Sequence, residues 1–309
     1  MTGDHTLQQS WVYLDGQYSR YHEVRLGFMT HALHYGTGLF EDLPLLWSDE
    51  GQHGYLLQPQ VQLARLERMA EVLRCQARLD SEQMLGICAE LALRNRSPRD
   101  LCLRFLWFKS AEVIGVRLTG LRDSLAAFVR ELPATRPQLD PIGCLVSNWR
   151  RTEDNAVPAQ GNVTGAYVAR ALARNEALAL QADEAIMLDR GGRVVGGTRG
   201  CLGLLSAGTL RTPSLEHGAP DSPARSLWLR LAADQGLAVV ERAIDRSEIY
   251  LADELMLLDP LHGLVPVGSV DHRAVGSGAA GAITRQLAQA FEAAARGQNV
   301  DYRDWLVAV

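Results

Sequence analysis

"HALHYGTGLFEDLPLLW", His31 to Trp47, is the stretch from which the rest of the chain is read. Before it stands a strand-like "WVYLDGQY", in which Asp15-Gly16 has the form of a hairpin turn. After it come a short loop through Gly51 to Gly54 and a helical stretch from about Gln58 to Arg78. There Leu63, Leu66, Met69 and Val72 recur at helical spacing. Ser81 to Leu93 reads as a second helix, with Ser81 as N-cap candidate and Leu85, Cys88 and Leu91 on one face. "LCLRFLWFK" and "LAAFVREL" read as strands.

"LPATRPQLDP" (Leu132 to Pro141) holds three prolines and predicts a linker at 135–140, between a small N-terminal domain (1–134) and a larger C-terminal one (141–309). Beyond it "IGCLVSNW" reads as a strand, Ala166 to Leu180 as a helix, and "DEAIMLDRGGRVV" as strand-turn-strand. A further helix has Ser222 as N-cap, Pro223 at its first position and Gly236 after its end. "LADELMLLD" and "LVPVGSVD" are strands, and Ile283 to Arg296 is a helix closed by Gly297. The expected class is α/β (α+β) in two domains, with the cleft between them as the default ligand site.

Composition narrows the functions. The chain has 309 residues, a net charge of -5, 47% hydrophobic and 22% charged residues, ordinary for a globular protein. It has no basic stripe, which excludes the usual nucleic-acid binders, and no apolar run long enough for a membrane span. "MTGDHTLQQSW" lacks the apolar stretch of a signal peptide. Five widely spaced cysteines without a CxxC pair predict reduced thiols and a cytoplasmic location. No metal-ligand spacing appears among the eight histidines. The chain has thirty arginines and one lysine, Lys109. Lys109 lies five residues after Arg104 on a predicted strand, so it points to the opposite face, and it is expected at the surface of a strand end.

"HALHYGTGLFE" (His31 to Glu41) resembles the N-terminal signature of class IV aminotransferases, the branched-chain group. Further matches follow in order: Arg65 in "ARLERM", Arg104 in "LCLRFLWF", then "VSNWRRTEDNAVP", "GAYVARALARNEALALQADEAIMLD", "EIYLADELMLL", "PVGSVD" and "VGSGAAGAIT". The resemblance covers nearly the whole chain. It implies the two-domain fold of type IV pyridoxal-phosphate enzymes, a cofactor between the domains, and a homodimer. It also implies cofactor contacts at Arg65 and Tyr167, with Tyr35, Phe40, Glu41 and Arg104 lining the site.

The resemblance breaks where the cofactor is handled. The Schiff-base lysine falls on Asn162 in "PAQGNVTGAY", and a carboxamide is neither nucleophile nor base at neutral pH. The glutamate that protonates the pyridine nitrogen falls on Gly196, with Arg199 three residues on and Cys201 at the family's asparagine. The phosphate-binding helix start becomes Ser222-Pro223-Ala224-Arg225, where Pro223 offers no N–H and Ala224 no hydroxyl. The second phosphate loop becomes Asp259-Pro260-Leu261-His262, and Asp42 and Pro44 replace a glycine and an arginine on the substrate side.

Losing two or three charged hydrogen bonds weakens cofactor binding by ~10²–10⁵-fold. The expectation is therefore a repurposed enzyme that needs no pyridoxal phosphate and acts on a small anionic metabolite, a carboxylate or a phosphate. Asp42, Tyr167, Asp259 and His262 are its acid–base candidates, and Arg65, Arg104, Asn162, Arg199, Ser222, Ala224 and Arg225 its anion-binding candidates. No cofactor is expected, unless pyridoxal phosphate binds without a covalent link. Two alternatives stay open: a non-catalytic ligand-binding or partner subunit, and a residual aminotransferase with non-covalent pyridoxal phosphate.

Overall fold

The computed structural model describes residues 8–48, 53–76, 80–97, 99–132, 139–259 and 261–309. Most of the linker expected at 135–140, and Pro260, lie outside them. The chain divides into two compact units. The first is Met1–Ala134 with Gly161–Gly165 and Ala295–Val309, and the second is Thr135–Gln160 with Ala166–Ala294. The chain's last fifteen residues and a five-residue insert thus join the first unit, where the sequence had placed them in the second.

In the first unit β1 (Trp11–Leu14) and β2 (Gln17–Arg20) form the expected hairpin. Asp15 and Gly16 take φ of 47° and 92°, the left-handed pair that a tight hairpin needs. His31–Tyr35 is a short helix, α1, ended by a left-handed Gly36. Then follow β3 (Gly38–Trp47), β4 (Gly54–Leu57), α2 (Pro59–Val72), α3 (Ser81–Arg94), β5 (Leu101–Lys109) and β6 (Asp123–Glu131). With the C-terminal strand Leu306–Ala308 they make an antiparallel sheet, in the order C-terminal strand, β4, β3, β5, β6, β1, β2.

Strand alternation separates the faces of this sheet. Leu39, Leu43 and Leu45 of β3 and Leu103, Phe105 and Trp107 of β5 are buried, as are Leu63, Leu66 and Met69 of α2. Two details differ from the sequence reading. α2 stops at Val72, which is 51% exposed, and the buried stripe continues through Leu73. In α3 the N-cap is Asp80, whose carboxylate accepts from Gln83 N at 2.8 Å, and the buried face is Met84, Ile87, Cys88 and Leu91. Asp80 displaces Ser81 as cap because its side chain reaches N3 and Gln83 reaches back.

In the second unit the strands are β7 (Ile142–Arg150), β8 (Glu184–Leu188), β9 (Val194–Gly197), β10 (Cys201–Ser206), β11 (Thr209–Thr212), β12 (Ala238–Glu241), β13 (Glu254–Asp259), β14 (Gly263–Val270) and β15 (Arg273–Ala274). They form a mixed sheet in the order β12-β11-β10-β13-β14-β7-β8-β9, with β15 beside β14. The helices are α4 (Tyr167–Ala179), α5 (Pro223–Asp234) and α6 (Ala282–Ala295). Val146, Ile186, Leu202, Leu204, Leu255, Leu257 and Val267 form the center of its core.

Candidate active site

In the first unit the candidate residues sort onto the two faces of β3. Glu41 is 2% exposed, and Arg65 reaches down from α2 to clasp it, Nε–Oε1 2.9 Å and Nη2–Oε2 2.6 Å. Asn162 Nδ2 also points to Glu41 Oε2, at 3.4 Å. Burial pushes the Glu41 carboxyl above its ordinary value, against the pull of Arg65. Asp42, the next residue, turns to the other face, where Arg104 holds it through two bonds of 2.6 Å. The Arg104 guanidinium lies 4.1 Å from the center of the Phe40 ring. Arg65, proposed from sequence to bind an anion, thus holds a carboxylate of its own chain. Asp42, proposed as an acid or base, is the acceptor of a bidentate ion pair. Tyr35 is drawn away to a loop, its hydroxyl accepting from Gly115 N at 3.0 Å.

Asn162 owes its place to the backbone. Phe40 N donates to Asn162 O at 3.0 Å, Leu39 bridges to Val163, and Thr164 Oγ1 donates to Gly36 O at 2.8 Å. The insert therefore runs along the part of β3 that β4 does not cover. Gly36 permits this: a Cβ there would stand 2.6 Å from Gly165 Cα.

Lys109 is not the surface lysine expected. It is 0% exposed, its Nζ donating to Arg74 O at 2.5 Å with Asp123 Oδ1 at 3.9 Å. The cause is the end of α2, where the left-handed Arg74 turns its carbonyl under the sheet. The only amine side chain of the protein is thus tied into the core of the first unit.

In the second unit Tyr167 opens α4, and Arg170 one turn later stacks on it, the guanidinium 4.3 Å from the ring center. Arg170 Nη1 donates to Tyr167 Oη at 3.2 Å and to Thr198 O at 3.3 Å. Gly196 has φ 151°, and a Cβ there would stand 2.5 Å from Gly200 O, so the backbone itself excludes a side chain. Arg199 Nη2 binds Asp259 Oδ2 at 2.6 Å and lies 3.2 Å from His262 Nδ1. Asp259 Oδ1 accepts from Leu261 N at 2.8 Å and sits 3.1 Å from His262 Nδ1. Burial alone would raise the Asp259 carboxyl, but His262, Arg199 and the Leu261 amide outweigh it and hold the group below its ordinary value. The structure brings these three together as a closed network, with Asp259 an ionised acceptor.

Ser222 caps α5, its hydroxyl accepting from Arg225 N at 3.2 Å, and Ala224 is the second helical residue. Arg225 turns inward to Glu241 at 2.6 Å and Pro213 O at 3.0 Å, and its Nε is buried without a partner. Cys201 is buried, and burial pushes its thiol up to about 12, so it is not a nucleophile. Sequence reasoning missed Arg151 and Arg170. The signal was present for Arg170, which falls on the buried stripe of α4 with Ala173 and Ala177 and one turn from Tyr167.

Residues 51–270 match the family described as Amino-transferase class IV. The chain belongs to the class IV aminotransferase family. A relative named as a probable branched-chain-amino-acid aminotransferase from Aquifex aeolicus is 30% identical over 98% of both chains. Among solved structures, the branched-chain aminotransferase of Thermoproteus uzoniensis with norvaline matches 97% of this chain and 99% of its own, with TM-score 0.91 and 27% identity. A T.th. branched-chain amino acid aminotransferase complexed with N-(5'-phosphopyridoxyl)-L-glutamate covers the same shares, with TM-score 0.92 and 26% identity. The type IV fold of this family is the fold of the chain.

Two expectations are thereby corrected. The reading as an enzyme independent of pyridoxal phosphate is overturned by likeness, over nearly the full length, to aminotransferases. The expectation of no cofactor is overturned by the T.th. class IV relative, which carries a phosphopyridoxyl group. Single residues at the expected cofactor positions are a weaker guide than the fold, which is kept over nearly the full length.

Proposed function

We propose that the protein is a branched-chain-type aminotransferase that binds pyridoxal phosphate without a covalent link to lysine and moves an amino group between an amino acid and a 2-oxo acid. The observation that supports this most is the match to an aminotransferase over 98% of both chains. The chain's residues suit the phosphate end of the cofactor. Arg225 Nε is buried without a partner at the start of α5, where the resemblance puts a phosphate loop and where helix N–H groups favour anions. Tyr167 is kept at the position that the resemblance assigns to the cofactor.

Bound pyridoxal phosphate supplies an aldehyde that accepts the amino group and a ring that withdraws electrons. The chain's own part is to bind and orient. Glu41 fixes Arg65, and the start of α5 offers the N–H of Ala224, since Pro223 has none and the Arg225 and Ser226 N–H groups are taken by Ser222. Asn162 supplies neither amine nor base, so proton transfer falls to a primary amine from solution. Purified protein incubated with pyridoxal phosphate, L-leucine and 2-oxoglutarate, with and without methylamine, tests this. Glutamate formation that methylamine accelerates is expected, and no glutamate in either arm overturns the reading.

A second copy of the chain is the proposed partner. Leu26, Phe28, Leu33, Ile114 and Val116 of the first unit are all more than half exposed, and His31 and Tyr35 join α1 to the 115 loop. A patch of this kind marks an interface, and sedimentation of the wild type against Phe28→Asp tests it. The five cysteines are free, and no helix among the described residues is long and apolar enough to cross a membrane. The cytoplasm is the compartment proposed.

A further inference from the structure

The two faces of the first unit's sheet are covered unequally. Along β5 and β6 one set of alternate residues, Leu103, Phe105, Leu125, Ala127 and Val129, is fully buried. The other set, Leu106, Ala126, Phe128 and Arg130, is only half-buried and shares the opposite face. β1 continues that face, with Val12 opposite Phe128 and Leu14 opposite Ala126. A cavity of about 700 Å³ lies on it, floored by these strands and walled by Tyr21 and Leu26 of the segment after β2.

The charges at this cavity have one sign. Arg25 and Arg130 line it, and no aspartate or glutamate does. Arg130 makes no hydrogen bond or ion pair to any of the described residues. The carboxylate next to it in sequence, Glu131, is taken by Ser97 and Arg99. Arg65 and Arg104 of the same unit behave differently, each closing on a carboxylate. Arg25 is held from behind, its Nη1 donating to the carbonyls of His22 and Val24. Those carbonyls fix the guanidinium and leave its charge unneutralised.

We propose that this cavity binds a small amphipathic monocarboxylate of the medium-chain fatty acid type. Its chain lies on the Leu106–Phe128 floor and its carboxylate meets the Arg130 guanidinium. The apolar chain takes half-exposed Leu106 and Phe128 out of water. The carboxylate matches the two-bond fork of an arginine that has no other acceptor. A neutral apolar ligand leaves Arg130 unanswered, and a cation is repelled by both arginines. The volume is that of a small-molecule site. This inference stands on the first unit alone and does not depend on the aminotransferase reading. Leu26 also belongs to the exposed patch proposed to meet a second copy, so ligand and partner are separated below.

The test is isothermal titration calorimetry of the full chain without pyridoxal phosphate, with octanoate and 1-octanol as probes. Octanoate binds once per chain and about tenfold or more tighter than the alcohol, the worth of a charge-assisted pair. Arg130→Met removes that preference and leaves binding of 1-octanol unchanged. Ala126→Phe fills the floor and abolishes binding of both. Arg130→Met changes a half-exposed side chain and carries the test alone if Ala126→Phe does not fold. No octanoate binding, equal affinity for the alcohol, a preference that survives Arg130→Met, or binding that survives Ala126→Phe in folded protein overturns the proposal. So does octanoate binding that appears only after Phe28→Asp has separated the copies, because the cavity is then part of their interface. Amine transfer is read in none of these arms, so its failure and the failure of this site are distinguishable.

Discussion

Asp42 and Arg104 stand directly opposite each other on β3 and β5 and close a two-bond ion pair, both bonds 2.6 Å. Glu41, one residue earlier, faces the other way and pairs with Arg65 of α2. Two neighbouring carboxylates that the sequence assigns to one site thus serve two faces of one sheet.

Asp42→Asn leaves Arg104 with a neutral partner. Stability falls by about 1–3 kcal/mol, seen in urea unfolding as a lower midpoint at unchanged slope. Amine transfer, if Asp42 has no proton-transfer role, keeps its rate within a few-fold. A loss on the order of 10²-fold or more would return Asp42 to the acid–base candidates.

Asn162→Lys places an amine on a backbone already held by Phe40 N and Leu39. Incubation with pyridoxal phosphate followed by borohydride leaves one covalent adduct on residue 162, located by peptide mass. The wild type leaves none on Lys109, because that amine is buried. An adduct on Lys109 in folded wild-type protein contradicts the placement of its side chain.

Lys109→Met removes the donor to Arg74 O and the ammonium 3.9 Å from the buried Asp123 carboxylate. Breaking a buried pair in this way costs about 3 kcal/mol or more, measurable by denaturant unfolding. A change under about 0.5 kcal/mol would show that its other partners, Trp107 Nε1 and Gln76 N among them, satisfy Asp123 without Lys109.

Asp259 links stability to acid. Its folded carboxyl titrates below the ordinary 3.8, so between the two values the unfolded chain binds more protons and stability rises with pH. The contribution is complete above the ordinary value and disappears as the pH falls through the folded one. Asp259→Asn flattens this acid limb in a Tm-against-pH series, and an unchanged limb contradicts the assignment.

Local signals in the sequence were read well. Asp15-Gly16 made its hairpin, Pro223 opened α5 behind the Ser222 cap, and Gly236 and Gly297 sit past their helix ends with positive φ. Signals that depend on distant chain were not legible. The spacing of apolar residues carried α2 to about Arg78, but it stops at Val72, and the carbonyl of Arg74 just beyond goes to Lys109, thirty-five residues away. The partners of Asp42 and Arg65 depend on the β3–β5 register and on how α2 lies over β3. Arg199, Asp259 and His262 could be named as new polar residues, but not as one closed network. Family likeness was strong enough to name the fold, and it outweighed an argument built from single lost contacts.

Asn162 and Gly196, which the resemblance sets at a lysine and a glutamate, differ in how readily their backbone would take those side chains. At 162 the main chain is docked on β3, so one substitution is enough to place a lysine there. At 196 the main chain takes a φ of 151°, where only hydrogen fits, with a carbonyl oxygen 2.5 Å from where a Cβ would stand. A glutamate there would first require the Gly196–Gly200 turn to be rebuilt. One of these positions would therefore accept the side chain that the resemblance implies by a single substitution, and the other would not.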